Sequence, residues 1–462
     1  MRTPPNVVYI FADELRMQDV GYAGNRDVHT PTMDRLAGEG LNLTHAVSGC
    51  PVCCPYRGSL MTGQYPLTHG VYINDVELNP KCDSIARTFK RGGYETAYIG
   101  KWHLYGSPDG SYGRRQAYVP RDYQLGFDYW KAFECTHDYN DSHYYFNDDD
   151  RLQPWGDYDA RAQSQDAAQY IRDHAGAETP YMMMLSWGPP HFPLHTAPQV
   201  YRDRFAHVDI ELRPNVPADM HAEAREQLRG NYAHIAALDD CLATVLDAID
   251  ASGQRDNTIV VFTSDHGDMF GSQGINRKSV PWDESIRVPF LLRWPGGLPS
   301  GASVLPMDAP DIMPTLLGLC GLAIPAAVQG QDYSAVLRGE QAMSGDEAAL
   351  LNLPAAFANV LEHGFKAYRG LRTQRYTYVR NTDGPWLLFD NETDPYQMCN
   401  LVGSAEHVDV QRSLESRLQH RLAELGDEFL DGRAYLERDG LSHYQEVNRS
   451  CRSEWQDPWS CR

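Results

Sequence analysis

Apolar residues in this chain come in short unbroken runs that end in polar, chemically capable side chains. Residues 6–12 run into Asp13-Glu14, and residues 95–99 run into Gly100-Lys101-Trp102-His103. Residues 181–187 lead to Pro189-Pro190-His191, and residues 258–263 to Ser264-Asp265-His266. Continuous apolar runs of this length suit strands of a sheet covered on both faces. In such sheets ligands bind beyond the carboxyl ends of the strands. Four runs that deliver Asp, Glu, His or Lys at the same end predict one shared site there.

Helical patterns fill the intervals. Thr30-Pro31 opens a helix through Leu36, with Gly38 and Gly40 closing it. Residues 84–90 predict another, stopped by Gly92-Gly93, and residues 222–249 form a long periodic stretch. From about Gly364 the pattern changes to short strands at 366–371, 376–380 and 386–389, with a turn at Asp383-Gly384-Pro385. A last helix is expected near 408–425. The prediction is an α/β fold: a large mixed, mostly parallel sheet flanked by helices over residues 1–355. A smaller C-terminal α+β subdomain follows over 356–462, with a small antiparallel sheet, a helix and a polar tail. The acidic stretch 147–151 and the final tail read as solvated loops.

Length and composition narrow the class. The chain has 462 residues, enough for one large α/β domain plus a smaller one, and its 42% hydrophobic content supports a real core. No apolar run approaches the ~20 residues that cross a bilayer, so no membrane partner is expected. The N-terminus lacks a secretory pattern. The expected location is cytoplasmic, or periplasmic or secreted if a leader has been removed. The net charge is −21, from 62 acids and 41 bases without a basic stripe, which argues against a nucleic-acid partner. The 10 cysteines show no disulfide framework. Cys50, Cys53 and Cys54 resemble half a zinc site without its other half, and Cys451 and Cys461 could pair with each other.

The densest chemistry lies in Cys53-Cys54-Pro55-Tyr56-Arg57-Gly58-Ser59-Leu60-Met61-Thr62-Gly63. Pro55 suits the first turn of a helix and Gly63 its end. Cys53 then sits at the helix N-terminus, where the dipole favours negative charge. Alone, this reads as a low-pKa cysteine or a buried one.

Cys-x-Pro-x-Arg followed by x-x-Leu-x-Thr-Gly resembles the signature of type I, formylglycine-dependent sulfatases in the alkaline phosphatase superfamily. Cys53, Pro55, Arg57, Leu60, Thr62 and Gly63 carry the match; Tyr56 departs from the usual Ser. Further segments follow in order. Asp13-Glu14 is similar to the family's Asp-Asp metal pair, with Glu14 a departure. Gly100-Lys101-Trp102-His103, Pro190-His191 and Thr263-Ser264-Asp265-His266-Gly267 match its later motifs. So do Lys278 with Glu284-Ser285-Ile286-Arg287-Val288-Pro289, and the C-terminal segments around Asp390, Asp394-Pro395 and Asn400-Leu401.

The resemblance implies a sulfuric ester hydrolase that cleaves a sulfate monoester on a small molecule or an oligosaccharide, with a sulfated carbohydrate expected. It implies one calcium ion held by Asp13, Glu14, residue 53, Asp265 and His266, and a formylglycine made from Cys53 by a separate maturation enzyme. It implies Cys53, Arg57, Lys101, His103, His191 and Lys278 as catalytic residues. A hydroxyl of the hydrated aldehyde, deprotonated with help from Asp265, attacks sulfur. His191 or Lys278 assists the leaving alcohol, and His103 takes the proton of the second hydroxyl. An acidic protein that handles anions needs a locally positive pocket, and a divalent cation helps to supply one.

Three rival readings remain at this stage. One is a phosphonate monoester or phosphodiester hydrolase of the same superfamily. Another is a sulfated-glycan binding protein with Cys53 unconverted. The third is a zinc phosphatase, which needs more His and Asp ligands than the motifs offer. The segment 135–145 reads equally as a sugar-lining loop or an ordinary polar one. Asn74 and Asp75 are candidates to reach substrate, and Tyr56 to face the pocket edge.

Overall fold

The computed structural model describes residues 4–106, 116–357 and 359–444. Ten strands build the large sheet: β1 (Asn6–Asp13), β2 (Leu41–Leu43), β3 (Glu95–Lys101), β4 (Tyr129–Phe133), β5 (His143–Phe146), β6 (Asp149–Pro154), β7 (Tyr181–Pro190), β8 (Thr258–Ser264), β9 (Phe290–Arg293) and β10 (Gly301–Ser303). Their spatial order is β10-β2-β9-β8-β1-β7-β3-β4-β5-β6. The run β8-β1-β7-β3-β4 is parallel throughout. Antiparallel pairs β8/β9, β9/β2, β4/β5 and β5/β6 lie outside it.

β1 shows why the central strands read as unbroken apolar runs. Successive side chains alternate between faces, and both faces are covered. Val7, Tyr9 and Phe11 join one core, with the helix Ile85–Arg91 and the helix Ala309–Cys320. Val8, Ile10 and Ala12 join the other, with Leu238, Leu242 and Val245 of the helix His221–Ala251. Register then sets the site. Ala12 lies beside Ser264, and Asp13 beside Pro190, so Asp13, Asp265 and His191 leave the sheet together.

The C-terminal sheet is antiparallel: β11 (Ala348–Leu353), β12 (Tyr368–Thr373), β13 (Tyr376–Asn381) and β14 (Gly384–Asp390), in that order. The helix Val408–Leu425 lies on it through Leu414, Leu418 and Leu422, one side chain per turn. A buried seam ties this sheet to the large domain. Arg372 of β12 donates twice to Asp283, at 3.1 and 3.2 Å, and Arg287 reaches the same carboxylate at 3.3 Å. No helix among the described residues is long and apolar enough to cross a membrane.

Several details differ from the sequence reading. The acidic stretch 147–151 is not a loop; it turns and enters β6 of the β5/β6 hairpin. The first strand of the small sheet, β11, lies upstream of the expected start. Gly38 sits inside the helix Pro31–Glu39, which Gly40 ends. The tail beyond Tyr444, with Cys451 and Cys461, lies outside the described residues.

Candidate active site

The site begins with the helix Cys53–Thr62. Val52 is extended, Cys53 is the first helical residue, and Gly63 ends the helix at φ 65°. Pro55, in the first turn, gives up an N–H that has no helical partner anyway. All ten residues are buried. Tyr56 faces the core rather than the pocket edge, its hydroxyl 3.2 Å from that of Tyr9. The opposite side of the helix start presents Cys53 to the carboxyl edge of the sheet.

There Cys53 meets the strand-end residues. Its Sγ lies 3.2 Å from His266 Nε2, 3.4 Å from Lys278 Nζ and 3.6 Å from Asp13 Oδ1. Ligand atoms of Asp13, Cys53, Asp265 and His266 all lie within 4.8 Å of one another, and all four residues are buried. His266 Nδ1 lies 3.1 Å from the Gly267 carbonyl. A proton placed there leaves Nε2 as a lone-pair donor toward the cluster.

Three basic side chains complete the cluster. Arg57 Nη2 reaches both Asp13 Oδ2 and Asp265 Oδ2 at 3.3 Å, and Nη1 donates to Ser186 Oγ and the Lys101 carbonyl. Phe11 lies under the guanidinium, 4.9 Å from ring centre. Lys101 Nζ donates to Asp13 Oδ2 at 2.5 Å. Glu14, expected among the metal ligands, instead stands 3.3 Å from both Lys278 Nζ and His191 Nε2.

Two glycines of the motifs have steric reasons. A Cβ on Gly100 would come within 2.1 Å of the Ser186 carbonyl, and its φ is 103°. A Cβ on Gly267 would lie 2.1 Å from the Glu284 carbonyl. Larger residues would push β3 off β7 and Asp265-His266 out of position. Non-glycine residues around the site also carry positive φ: Glu14 70°, Asp75 64°, His103 58°, Arg277 73° and Ser279 72°. Such backbone persists only where surrounding packing enforces it.

The electrostatics follow from burial of many charges together. Burial pushes the Asp13 carboxyl up, but Lys101, His191, Lys278 and Arg57 outweigh it and hold the group well below the usual range. Burial, then Asp13, raise the Cys53 thiol, yet Lys278, His266 and Lys101 bring it well below its ordinary value. Burial disfavours charge on His266, and Asp265 reverses this to about 9. Burial alone dominates Glu14, which rises to about 8. Arg57, Lys101 and Lys278 therefore surround a strongly anionic centre that can hold a cation and an anion side by side.

The structure brings Asp13, Cys53, Arg57, Lys101, Asp265, His266 and Lys278 into one cluster, with Glu14 and His191 attached through Lys278. His103 lies at its side, Nε2 3.2 Å from Asp75 Oδ1. Asn74 is half-buried, and its Oδ1 accepts the Cys54 N–H at 3.1 Å, which satisfies a free donor at the start of the helix. Cys50 lies in the apolar core, and Cys54 Sγ accepts the Asp75 N–H at 3.4 Å. Neither joins the ligand group. In the segment 135–145, Tyr139 is a buried strut whose hydroxyl donates to the His191 carbonyl at 2.8 Å. His137 stacks on His191, with ring centres 4.4 Å apart.

Sequence reasoning missed Ser186, which orients Arg57, and Glu134, which accepts the N–H groups of Tyr105 and Gly106 at 3.0 and 2.9 Å. Glu134 follows β4 directly, so the strand-end rule used for the other four runs would have found it.

A ten-stranded, mostly parallel sheet with a charged cluster at its carboxyl edge and a small antiparallel sheet behind it is the alkaline phosphatase superfamily fold. The sulfatase family model matches residues 5–322, and one described as N-sulphoglucosamine sulphohydrolase, C-terminal, matches residues 271–424. The chain belongs to the sulfatase family and is a sulfuric ester hydrolase. It is 45% identical over 440 residues to an ulvan-active sulfatase of Formosa agariphila, covering 94% of this chain and 84% of that one. It is 32% identical to an endo-4-O-sulfatase of Bacteroides thetaiotaomicron, covering 92% of each. A solved structure from Bacteroides fragilis, described as a candidate sulfatase, superposes with a TM-score of 0.84 at 30% identity, over 93% of this chain and 97% of that one.

Proposed function

We propose that this sulfatase acts on a sulfated carbohydrate, using a formylglycine made from Cys53 and one calcium ion between Asp13, Asp265, His266 and residue 53. The observation that carries this reading is the meeting of Cys53 with Asp13, Asp265 and His266 within 4.8 Å, enclosed by Arg57, Lys101 and Lys278. The donor set fits a hard cation, because two carboxylates supply oxygen. Oxidation of Cys53 would exchange the one soft donor for oxygen. The 45% identical relative acts on ulvan by its name, which supports a polysaccharide sulfate here.

When present, calcium supplies positive charge to the sulfate oxygens and hydrated formylglycine supplies the oxygen nucleophile. The chain's own side chains do the rest. Arg57 fixes both carboxylates at once, so the cation site keeps its spacing. Lys101 and Lys278 add charge where the sulfate would sit, in a site from which water is excluded. Asp265, with a ligand atom within 4.8 Å of that of residue 53, would take a proton from it. His191 and Lys278, both in contact with Glu14, would give a proton to the leaving alcohol. His103, held by Asp75, would take the last proton from residue 53.

Sulfate release from ulvan and from chondroitin-type oligosaccharides, measured by ion chromatography beside an aryl phosphonate, tests the reading. Turnover of the phosphonate alone, by protein whose Cys53 peptide has lost the mass of a thiol-to-aldehyde exchange, would overturn it.

A further inference from the structure

One cavity lies just outside the charged cluster and no catalytic role accounts for it. It encloses about 660 Å³, within the ~300–1,000 Å³ range of small-molecule sites. Its wall includes Phe192 and Arg277, each the immediate chain neighbour of a cluster residue, His191 and Lys278. The rings of His191 and Phe192 stack, with centres 4.1 Å apart. The cavity therefore opens one side chain away from the groups placed beside the leaving alcohol. Leu194 and Gly230 close another side; a Cβ on Gly230 would fall 2.7 Å from the Leu194 carbonyl, so the loop and the long helix touch there.

The charges on this wall are unequal in their engagement. Glu226 is held by Arg229 at 3.1 Å, and Asp203 accepts the Gln199 amide at 2.5 Å. Arg202 also borders the cavity; among the described residues its Nε is buried without a hydrogen-bond partner, and its Nη2 donates to the neutral Gln199 side chain. Arg277 lies over the Phe192 ring at 3.9 Å, with the Asp268 carboxylate only loosely engaged at 3.8 Å. Its backbone φ of 73° is an uncommon conformation for a large side chain, kept by the Met269 N–H on its carbonyl and by its own N–H on Asp268. His195 adds a further donor to the same wall. Two guanidinium groups with free donors, one on an aromatic platform, suit a planar carboxylate or a sulfate carried by a sugar ring.

We propose that this cavity is a subsite for the saccharide unit next to the one whose sulfate is cleaved, and that Arg277 and Arg202 select a neighbour bearing an anion. The proposal rests on the carbohydrate-sulfate reading above. It makes the enzyme one that recognises at least a disaccharide, and it offers an aryl sulfate nothing to bind beyond the reaction centre.

The test compares ulvan oligosaccharides with intact carboxylates, the same oligosaccharides with carboxylates reduced to alcohols, and 4-methylumbelliferyl sulfate. For wild type, kcat/KM should fall about tenfold or more on carboxyl reduction. Arg277→Gln and Arg202→Gln should each lower the ratio of kcat/KM for the intact oligosaccharide to that for the aryl sulfate by a similar factor, mostly through KM. The Gln side chain keeps part of the packing on Phe192, and thermal melting checks folding. Equal losses on the oligosaccharide and the aryl sulfate, or a ratio unchanged in both variants, would overturn the proposal. Calorimetric binding of the intact oligosaccharide to Cys53→Ala separates this proposal from the reaction itself. Binding that Arg277→Gln weakens, without hydrolysis by the parent enzyme, would sink the carbohydrate-sulfatase reading and leave the subsite standing. Equal binding of intact and reduced oligosaccharides would do the opposite.

Discussion

Two buried networks of charge in this protein are built on opposite plans. At the seam, Asp283 is closed by Arg372 on one side and Arg287 on the other, and Gln397 Nε2 adds a contact at 3.3 Å. Arg372 also donates to the Thr373 and Gln374 carbonyls, and Arg287 to the Thr44 carbonyl at 2.6 Å, so most of the guanidinium donors there have acceptors and Arg287 Nε is the exception. At the carboxyl edge of the large sheet, one carboxylate oxygen of Asp13 serves both Lys101 and Arg57, while a histidine, a thiol and a second aspartate crowd beside it. A closed network contributes to stability because breaking it strands a charge. A crowded network suits charges that arrive later: a sulfate ester and, in the function proposed above, a cation. The contrast says that variants at the two places should fail in different currencies, activity at one and stability at the other.

The sharpest separation should come from the nucleophile. Cys53→Ala is expected to lower sulfate release by about 10³-fold or more, while its melting temperature stays within a few degrees of wild type. Unfolding of this variant at low temperature would mean that the crowded cluster holds the fold together after all. Next in size is the cation. Chelation should remove turnover, and calcium at ~100 times its dissociation constant should restore it while stabilising the fold by about 2.7 kcal/mol. Asp13→Asn and Asp265→Asn should lose that calcium-dependent rise in melting temperature. Full activity after exhaustive chelation would contradict the cation site.

The seam should give the reverse pattern. Arg372→Ala leaves Asp283 buried with half its partners and should cost about 3–5 kcal/mol, read by urea unfolding, with kcat nearly unchanged below the transition. A pH series sharpens this. Burial raises the Asp283 carboxyl, but Arg372 and Arg287 overcome it and bring it to about 2. A depressed carboxyl contributes its stability above the unfolded value near 4 and loses it as pH falls toward 2, an amount of roughly 2 kcal/mol. Arg372→Met should flatten that part of the acid limb.

The smallest expected effect on chemistry belongs to Tyr56. Its ring fills core beside Tyr9, so Tyr56→Ser should cost about 3 kcal/mol through the cavity it leaves. The formylglycine fraction at residue 53, read by peptide mass spectrometry, should be similar in both proteins. A large rise in that fraction in the variant would show that the tyrosine limits maturation rather than packing.

Strand ends were the most legible part of the molecule. β1, β3, β7 and β8 are buried on both faces, so their apolar runs are continuous and their polar ends conspicuous. The helix Val408–Leu425 was equally plain from its leucine spacing. β11 was not, because Ala348-Ala-Leu-Leu-Asn-Leu353 carries no alternation and is too short for periodicity to separate a strand from a helix. β6 hid behind its acids, since an exposed edge strand needs only partial burial; its residues are mostly exposed. The partners of the site residues were the least legible. Ser186 on Arg57, Asp75 on His103 and Glu14 on Lys278 join positions from 28 to 264 residues apart, and no local pattern records such meetings.

Burial of the helix Cys53–Thr62 also sets a timetable. Cys53 is 1% exposed, and the whole helix from Cys53 to Thr62 is enclosed by sheet and helices. No protein-sized catalyst can grip that segment once the large sheet has closed over it. Any enzyme that alters Cys53 must therefore act while the segment is still an unfolded strand of polymer, in competition with folding itself. On the formylglycine reading proposed above, a chain that folds first is committed, and faster folding then means fewer converted molecules. Slowing the closure of the sheet should raise the competent fraction, and refolding finished protein beside the same catalyst should reopen the window.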